Sequence, residues 1–190
     1  MKAIFVILYL SLTLAYSEGN SQSFYGFEGG VSLTNLKLKS ERITLSDEAY
    51  RPKISYSFLA FKEFPVNKVI DLKLGLRISN RGSRFIEEKI NIHYLGLYSS
   101  IFSQLYKQFN LELGTELNYL LSSNSTEDRL KRLDFGLNSA LNYQISKTFY
   151  CTLKYYIGLT NIIENQYNGI NDNFNLKNRD ILIGLGYYIK

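Results

Sequence analysis

The chain has 190 residues, 45% hydrophobic and 21% charged, with two prolines, no tryptophan, 16 tyrosines and 12 phenylalanines. This length suits one domain, the composition excludes a disordered tail, and abundant tyrosine with little proline suits β-structure. The net charge of +5 is scattered and not gathered into a stripe, which argues against nucleic acid as a partner, and the single cysteine, Cys151, excludes an internal disulfide or a cysteine-based zinc cluster.

The N-terminus reads MKAIFVILYLSLTLAYSEGNSQS. Lys2 is a short positive region, Ala3 to Leu14 is mainly apolar, and Ala15-Tyr16-Ser17 is a small-x-small cleavage pattern. This predicts a secretory signal peptide over 1–21, cut after Ser17 or Ser21, with residues 22–190 as the exported domain. The apolar run is too short and uneven to span a membrane as a helix, and no later segment is long enough.

Eight segments then alternate with the two-residue period of a strand. Residues 24–38 set Tyr25, Phe27, Gly29, Val31 and Leu33 against Gly26, Glu28, Gly30, Ser32 and Thr34. Residues 53–64 alternate less cleanly, with Ile54, Tyr56, Phe58 and Ala60 against Ser55, Ser57, Leu59 and Phe61. Residues 69–79 set five aliphatics from Ile70 to Ile78 against Asp71, Lys73, Gly75, Arg77 and Ser79. Residues 90–102 are ambiguous enough to hold a bulge. Residues 109–121, 133–145, 149–161 and 179–190 each alternate clearly. The connections run long and short in strict turn: short at 65–68, 103–108 and 146–148, long and polar at 39–52, 80–89, 122–132 and 162–178.

The predicted strands exceed the usual length in soluble domains and suit a tilted membrane crossing. The polar parity carries Glu28, Asp71, Lys73, Arg77, Glu112, Glu116, Asp134, Lys154 and Asp180; the other carries almost no mid-strand charge. An eight-stranded bore is barely wide enough for side chains, so it takes glycine, serine, asparagine and paired charges more readily than stacked leucines and tyrosines. The predicted fold is therefore an all-β, eight-stranded antiparallel up-and-down transmembrane barrel in an outer membrane, with those nine charges forming a network in the lumen. The expected lipid-facing residues are Val31, Leu33, Leu72, Leu74, Leu76, Leu111, Leu113, Leu117, Leu137, Leu141, Leu153, Tyr155, Ile157, Ile183 and Leu185. Short turns on one side and an even strand count place both termini in the periplasm, and ring-bearing residues such as Tyr25, Phe109, Tyr143, Phe149 and Tyr187 gather at that end.

Several stretches resemble the PorT-like family of small outer-membrane β-barrel proteins. FEGGVSLTNL resembles its first strand, and SFLAFKEFPVNKVIDLKLGLRISNRGSRF its hairpin with a short turn. IHYLGLY, LDFGLNSALNY and LKYYIGLTNI stand where later strands fall. The family's usual proline in the fourth strand is absent, with Gly96 and Leu97 nearby. The C-terminal Gly184-Leu-Gly-Tyr187-Tyr-Ile189 is similar to the last-strand signal read by the barrel-assembly machinery, but ends on Lys190. The predicted barrel has outer-membrane lipid as its surroundings and the barrel-assembly machinery as its partner in biogenesis, and the expected role is structural or interactive, with the outer loops meeting a protein partner; some members of the resembled family are linked to protein secretion.

No cofactor, metal or catalytic residue is expected. His93, the only histidine, would have to serve a lipid A-modifying barrel enzyme together with a serine and an acid. It shares parity with Ser99 but stands roughly 20 Å from it along a strand, so the plainer reading is ordinary hydrogen bonding at the lumen or rim. Glu112 and Glu116 are about 13 Å apart, too far for a glycosidase pair. Asn171-Asp172-Asn173 lacks the bidentate glutamate of a calcium loop. A soluble periplasmic ligand-binding barrel is the other alternative.

Overall fold

The computed structural model describes residues 23–39, 50–67, 69–85, 88–124, 130–163 and 175–189; the signal peptide expected over 1–21 and the Asn171 stretch lie outside them. The strands are β1 (Phe24–Lys39), β2 (Tyr50–Arg51), β3 (Lys53–Pro65), β4 (Ile70–Phe85), β5 (Glu88–Tyr106), β6 (Phe109–Ser123), β7 (Leu133–Gln144), β8 (Phe149–Gly158) and β9 (Asn175–Ile189). Eight of them close into a ring. Each strand lies antiparallel to its neighbours; β1 pairs with both β3 and β9, and the β4–β5 pairing completes the circuit. β2 is a two-residue strip added to the tip of β4, Tyr50 opposite Phe85 and Arg51 opposite Arg84.

The alternation is what closes the tube. Along most of every strand one parity is buried inside and the other is exposed on the wall, so a one-residue slip would put carboxylates outside and leucines inside. Three tight turns share one end with Phe24 and Ile189. In the first, Val66 N donates to Ile70 O at 3.0 Å, while Asn67 Oδ1 accepts from the Val69 and Ile70 amides at 2.9 Å. The second is Lys107-Gln108, with Lys107 left-handed at φ 43°. The third closes through Ile145 N to Phe149 O at 2.9 Å.

Several connections differ from the sequence expectation: β9 begins at Asn175, inside the expected loop 162–178, and β2 lies inside the expected loop 39–52, both because ladder pairing with β1 and β4 continues there. β5 runs to Tyr106, so the expected 103–108 linker is a two-residue hairpin with a register shift between Gln104 and Tyr106. The expected loop 80–89 is mostly strand, because β4 and β5 stay paired from Asn80–His93 to Phe85–Glu88, leaving 86–87 between them. Its charges alternate: Arg81 and Ser83 are buried and Arg84 is exposed, a two-faced strand whose inner face is polar. The irregularity expected in β5 is present, with the pairing to β6 shifting between His93 and Tyr94.

Two apolar clusters bracket the interior. Leu36, Ile92, Tyr94, Ile162 and Leu176 pack together towards the loop end, and Leu59, Phe61, Tyr98 and Tyr150 towards the turn end, against Tyr188. Leu59 and Phe61 are why residues 53–64 alternate poorly: apolar residues stand on the inward parity to fill the bore. The tyrosine rings need bare backbone opposite them. A Cβ added at Gly186 would collide with the Tyr150 ring, and one at Gly136 with the Tyr156 ring.

Gly186→Ala should therefore lower stability by ~1–3 kcal/mol through overpacking. Gly29→Ala, whose Cβ would sit 3.5 Å from the Phe58 ring, should stay within ~0.5 kcal/mol of wild type. Urea titration followed by the heat-dependent gel shift measures both, and equal behaviour of the two variants would contradict the packing account.

Candidate functional site: the charged interior

The most polar part of the molecule is its middle. β4 contributes Lys73, Arg77 and Arg81, four residues apart and so on one face about 13 Å from the next. β6 answers with Glu112 and Glu116 at the same spacing. Glu28 comes from β1, Asp134 from β7, Lys154 from β8 and Asp180 from β9. These side chains are 0–5% exposed.

The contacts form one continuous mesh. Lys73 Nζ lies 3.1 Å from Glu112 Oε2. Arg77 spans the bore, 2.9 Å from Glu116 and 3.3 Å from Glu28. Arg81 lies 2.7 Å from Glu116, 3.7 Å from Asp180 and 3.9 Å from Asp134. Lys154 lies 2.7 Å from Glu28 and 3.8 Å from Glu112. β4 and β6 are separated by β5, so their ion pairs must pass over it. Gly96 of β5, which pairs with Arg77 on one side and Asn118 on the other, leaves that passage open; a Cβ there would meet Asn118 Oδ1 and Glu116.

Neutral donors also reach two of the carboxylates. Glu112 accepts from Tyr98 Oη, from Ser100 Oγ at 2.8 Å and from Asn142 Nδ2 at 2.9 Å. Asp134 accepts from Tyr156 Oη at 2.9 Å, Asn178 Nδ2 at 2.9 Å and Thr160 Oγ1 at 2.7 Å. Tyrosine faces carry the cations, with Arg81 3.7 Å over Tyr156 and Arg77 4.6 Å over Tyr98. A buried charge missing one partner is costly, and multiple partners per ion spread that cost over the mesh.

Of the residues singled out from sequence, Asp71 stands apart: it is half-buried near the turn end and makes none of these close ion pairs. Arg81, Lys53 and Glu63 are buried interior charges that the sequence reading missed. The Lys73/Arg77 spacing, extended by four, points to Arg81; Lys53 and Glu63 fall on the inward parity of β3. Lys53 Nζ donates to Asn80 Oδ1 and Asn91 Oδ1, both at 2.6 Å. On the wall, Val31, Leu33, Leu76, Leu111, Leu113, Leu137, Leu141, Leu153, Ile183 and Leu185 are exposed, while Leu74, Leu117, Tyr155 and Ile157 are half-buried on the same parity. Leu72 differs: it is 9% exposed, flanked across the strands by Phe64 and Ile101, whose bulk covers it. Tyr188, next to Tyr187 at the turn end, falls on the inward parity and packs against Phe61 and Tyr150.

His93 lies on the outward parity of β5 beside Asn80, whose Nδ2 is 3.2 Å from His93 Nε2. Neither a serine nor an acid is among its hydrogen-bond partners in the described residues. No grouping of three His, Cys, Asp or Glu fit to hold a metal ion occurs among the described residues.

Arg81→Met should destabilise the barrel by ~3–5 kcal/mol, because Glu116 and Asp180 stay buried with a partner lost. The double variant Arg81→Met/Glu116→Gln should recover part of that loss. Urea midpoints in detergent test this; additivity of the two single variants would remove the coupling.

The profile of the outer membrane protein beta-barrel domain family matches residues 20–164. No curated protein matches the sequence. Among solved structures, Neisserial surface protein A (NspA) is similar at 8% identity and TM-score 0.58, over 88% of this chain and 99% of that one. Outer membrane protein AlkL, solved in lipid bilayers, matches at 8% identity and TM-score 0.51, over 92% and 93%. Ail, the attachment invasion locus protein of Yersinia pestis, in complex with the heparin analogue sucrose octasulfate, matches at 12% identity and TM-score 0.50, over 89% and 100%. At such identities these likenesses concern the fold. The family match spans most of the chain and agrees with the closed ring of eight strands: this protein belongs to the outer membrane protein beta-barrel domain family.

Proposed function

We propose that this outer-membrane barrel is a non-conducting, non-enzymatic scaffold of the PorT-like class whose loop end does the recognising. One observation carries this: the bore is filled by the Lys73–Glu112, Arg77–Glu116 and Arg81–Glu116 ladder and bracketed by the two apolar clusters. A filled bore leaves the wall to anchor the protein in lipid and the rim to meet partners. The outward residues anticipated from sequence, Leu72 apart, are read as that lipid contact, and the interior charges as a stabilising plug.

Three tight turns share an end with both chain termini, which supports a periplasmic location for the termini and an external one for the loop end. The signal peptide over 1–21 and recognition of the last strand by the barrel-assembly machinery belong to the same reading. Ail, of similar fold, holds a sulfated sugar analogue, which favours an exposed protein or glycan as the partner at the loop end. His93, set against Asn80 and not against an acid, supports a role without catalysis.

Purified, refolded protein in planar bilayers should give no stable conductance steps; steady pore-like steps would overturn the filled-bore reading. An epitope inserted between residues 164 and 174 should be detected on intact cells, and one appended after Lys190 only after permeabilisation. The reverse pattern would overturn the orientation.

A further inference from the structure

The outer wall changes chemistry abruptly near the loop end. On β9 the outward side chains are apolar from Ile189 to Ile181, then become Arg179 and Lys177. On β1 they are apolar up to Leu33, then Asn35 and Lys37. On β4 they are apolar up to Ile78, and Arg84 stands three outward positions further. Lys89 on β5 and Arg51 on β2 complete the set.

The register aligns these cations. Lys37 pairs directly with Lys177, Arg84 with Lys89, and Arg51 with Arg84. Opposite Cβ atoms in such pairs are about 4.5–5.5 Å apart, and like charges so placed repel. The strands lie in the order β5, β4, β3, β1, β9, with β2 at the tip of β4, so the six cations form one arc. No described acid shares the arc's outward parity; Glu88, at the same height, lies on the other parity of β5. Among the described residues none of the six enters an ion pair; Arg179 donates to the Tyr155 hydroxyl at 2.9 Å, and its Nε has no hydrogen-bond partner among them.

A row of cations with no described acid beside it, at the upper edge of an apolar wall, fits phosphate groups at the surface of a lipid layer, which attract Lys and Arg placed there. We infer that this arc binds the phosphate-bearing headgroup of lipid A in the outer leaflet, Lys37, Lys177 and Arg179 clasping one phosphate and Arg51, Arg84 and Lys89 another. Two groups of cations favour a headgroup with two phosphates over a single-phosphate glycerolipid. The inference rests on the loop end facing outward, but binding in detergent can be measured without that orientation.

The test is thermal unfolding of refolded protein in detergent, followed by gel shift, against lipid A, its dephosphorylated form, phosphatidylglycerol and sucrose octasulfate. Lipid A should raise the transition temperature in a saturable way, and the dephosphorylated form should not. The variant Lys37→Gln/Arg84→Gln/Lys89→Gln/Lys177→Gln should bind lipid A roughly a thousandfold more weakly, while Lys107→Gln/Lys147→Gln, at the turn end, should match wild type. Equal stabilisation by both lipid A forms, by phosphatidylglycerol, or by sucrose octasulfate alone would overturn the assignment, as would a quadruple variant that binds like wild type. The wild-type arms decide the matter even if the quadruple variant does not fold. The epitope experiment above fails independently if the orientation is wrong.

Discussion

A closed ring of eight strands leaves a bore only wide enough for side chains, and its outer wall meets hydrocarbon. Charge placed inside therefore has to be neutralised inside. The structure does this by spacing cations and carboxylates at the same interval on β4 and β6, so that Lys73 meets Glu112 and Arg77 meets Glu116. Gly96 keeps the intervening strand out of the way, and tyrosine hydroxyls and asparagine amides donate to Glu112 and Asp134. Such meshes are weak evidence for net stability, but they bind the register tightly: slipping one strand by two residues would keep the parity and still break every ion pair it makes.

The two apolar clusters complement this centre. Charges in the middle and apolar clusters at both ends give a plug that sets hydrophobic side chains between the charged mesh and the two mouths. The fold thereby divides its labour along the strand axis: the wall satisfies the membrane, the bore holds the strands in register, and sequence freedom is left to the rim. NspA superimposes over 88% of the chain at 8% identity, which is possible because parity and closure carry the fold, while particular residues are free to differ.

Strand existence, parity and the alternation of turns and loops were legible because a two-residue period survives any choice of side chain. The errors came where that period carried unexpected chemistry. Residues 80–89 read as a loop because Arg81, Arg84, Glu87, Glu88 and Lys89 resemble solvated residues; in a polar bore an inward arginine leaves the same trace. Leu59 and Phe61 blurred β3 because they seal the bore. Leu120 and Leu121 break the alternation of β6, and there the register to β5 shifts. β8 ends at Gly158, earlier than its alternation, because Leu159 and Thr160 leave the ladder to hydrogen-bond with Phe135 O. The partner of each interior charge was not readable from the chain, since partnership across the bore depends on the stagger of strands that are not sequence neighbours.

The same sorting rule bears on where the net charge resides. Among the described residues five buried cations stand against six buried acids, so the bore is close to neutral and the +5 of the whole chain arises outside it. Inside, each cation has a carboxylate or a polar oxygen within reach. On the upper wall, Lys37 faces Lys177 and Arg84 faces Lys89 with no described acid between them. Among the described residues the sheet pairs its hidden charges this closely while aligning its exposed ones like against like, an arrangement suited to anions supplied by the membrane at the border of a lipid wall.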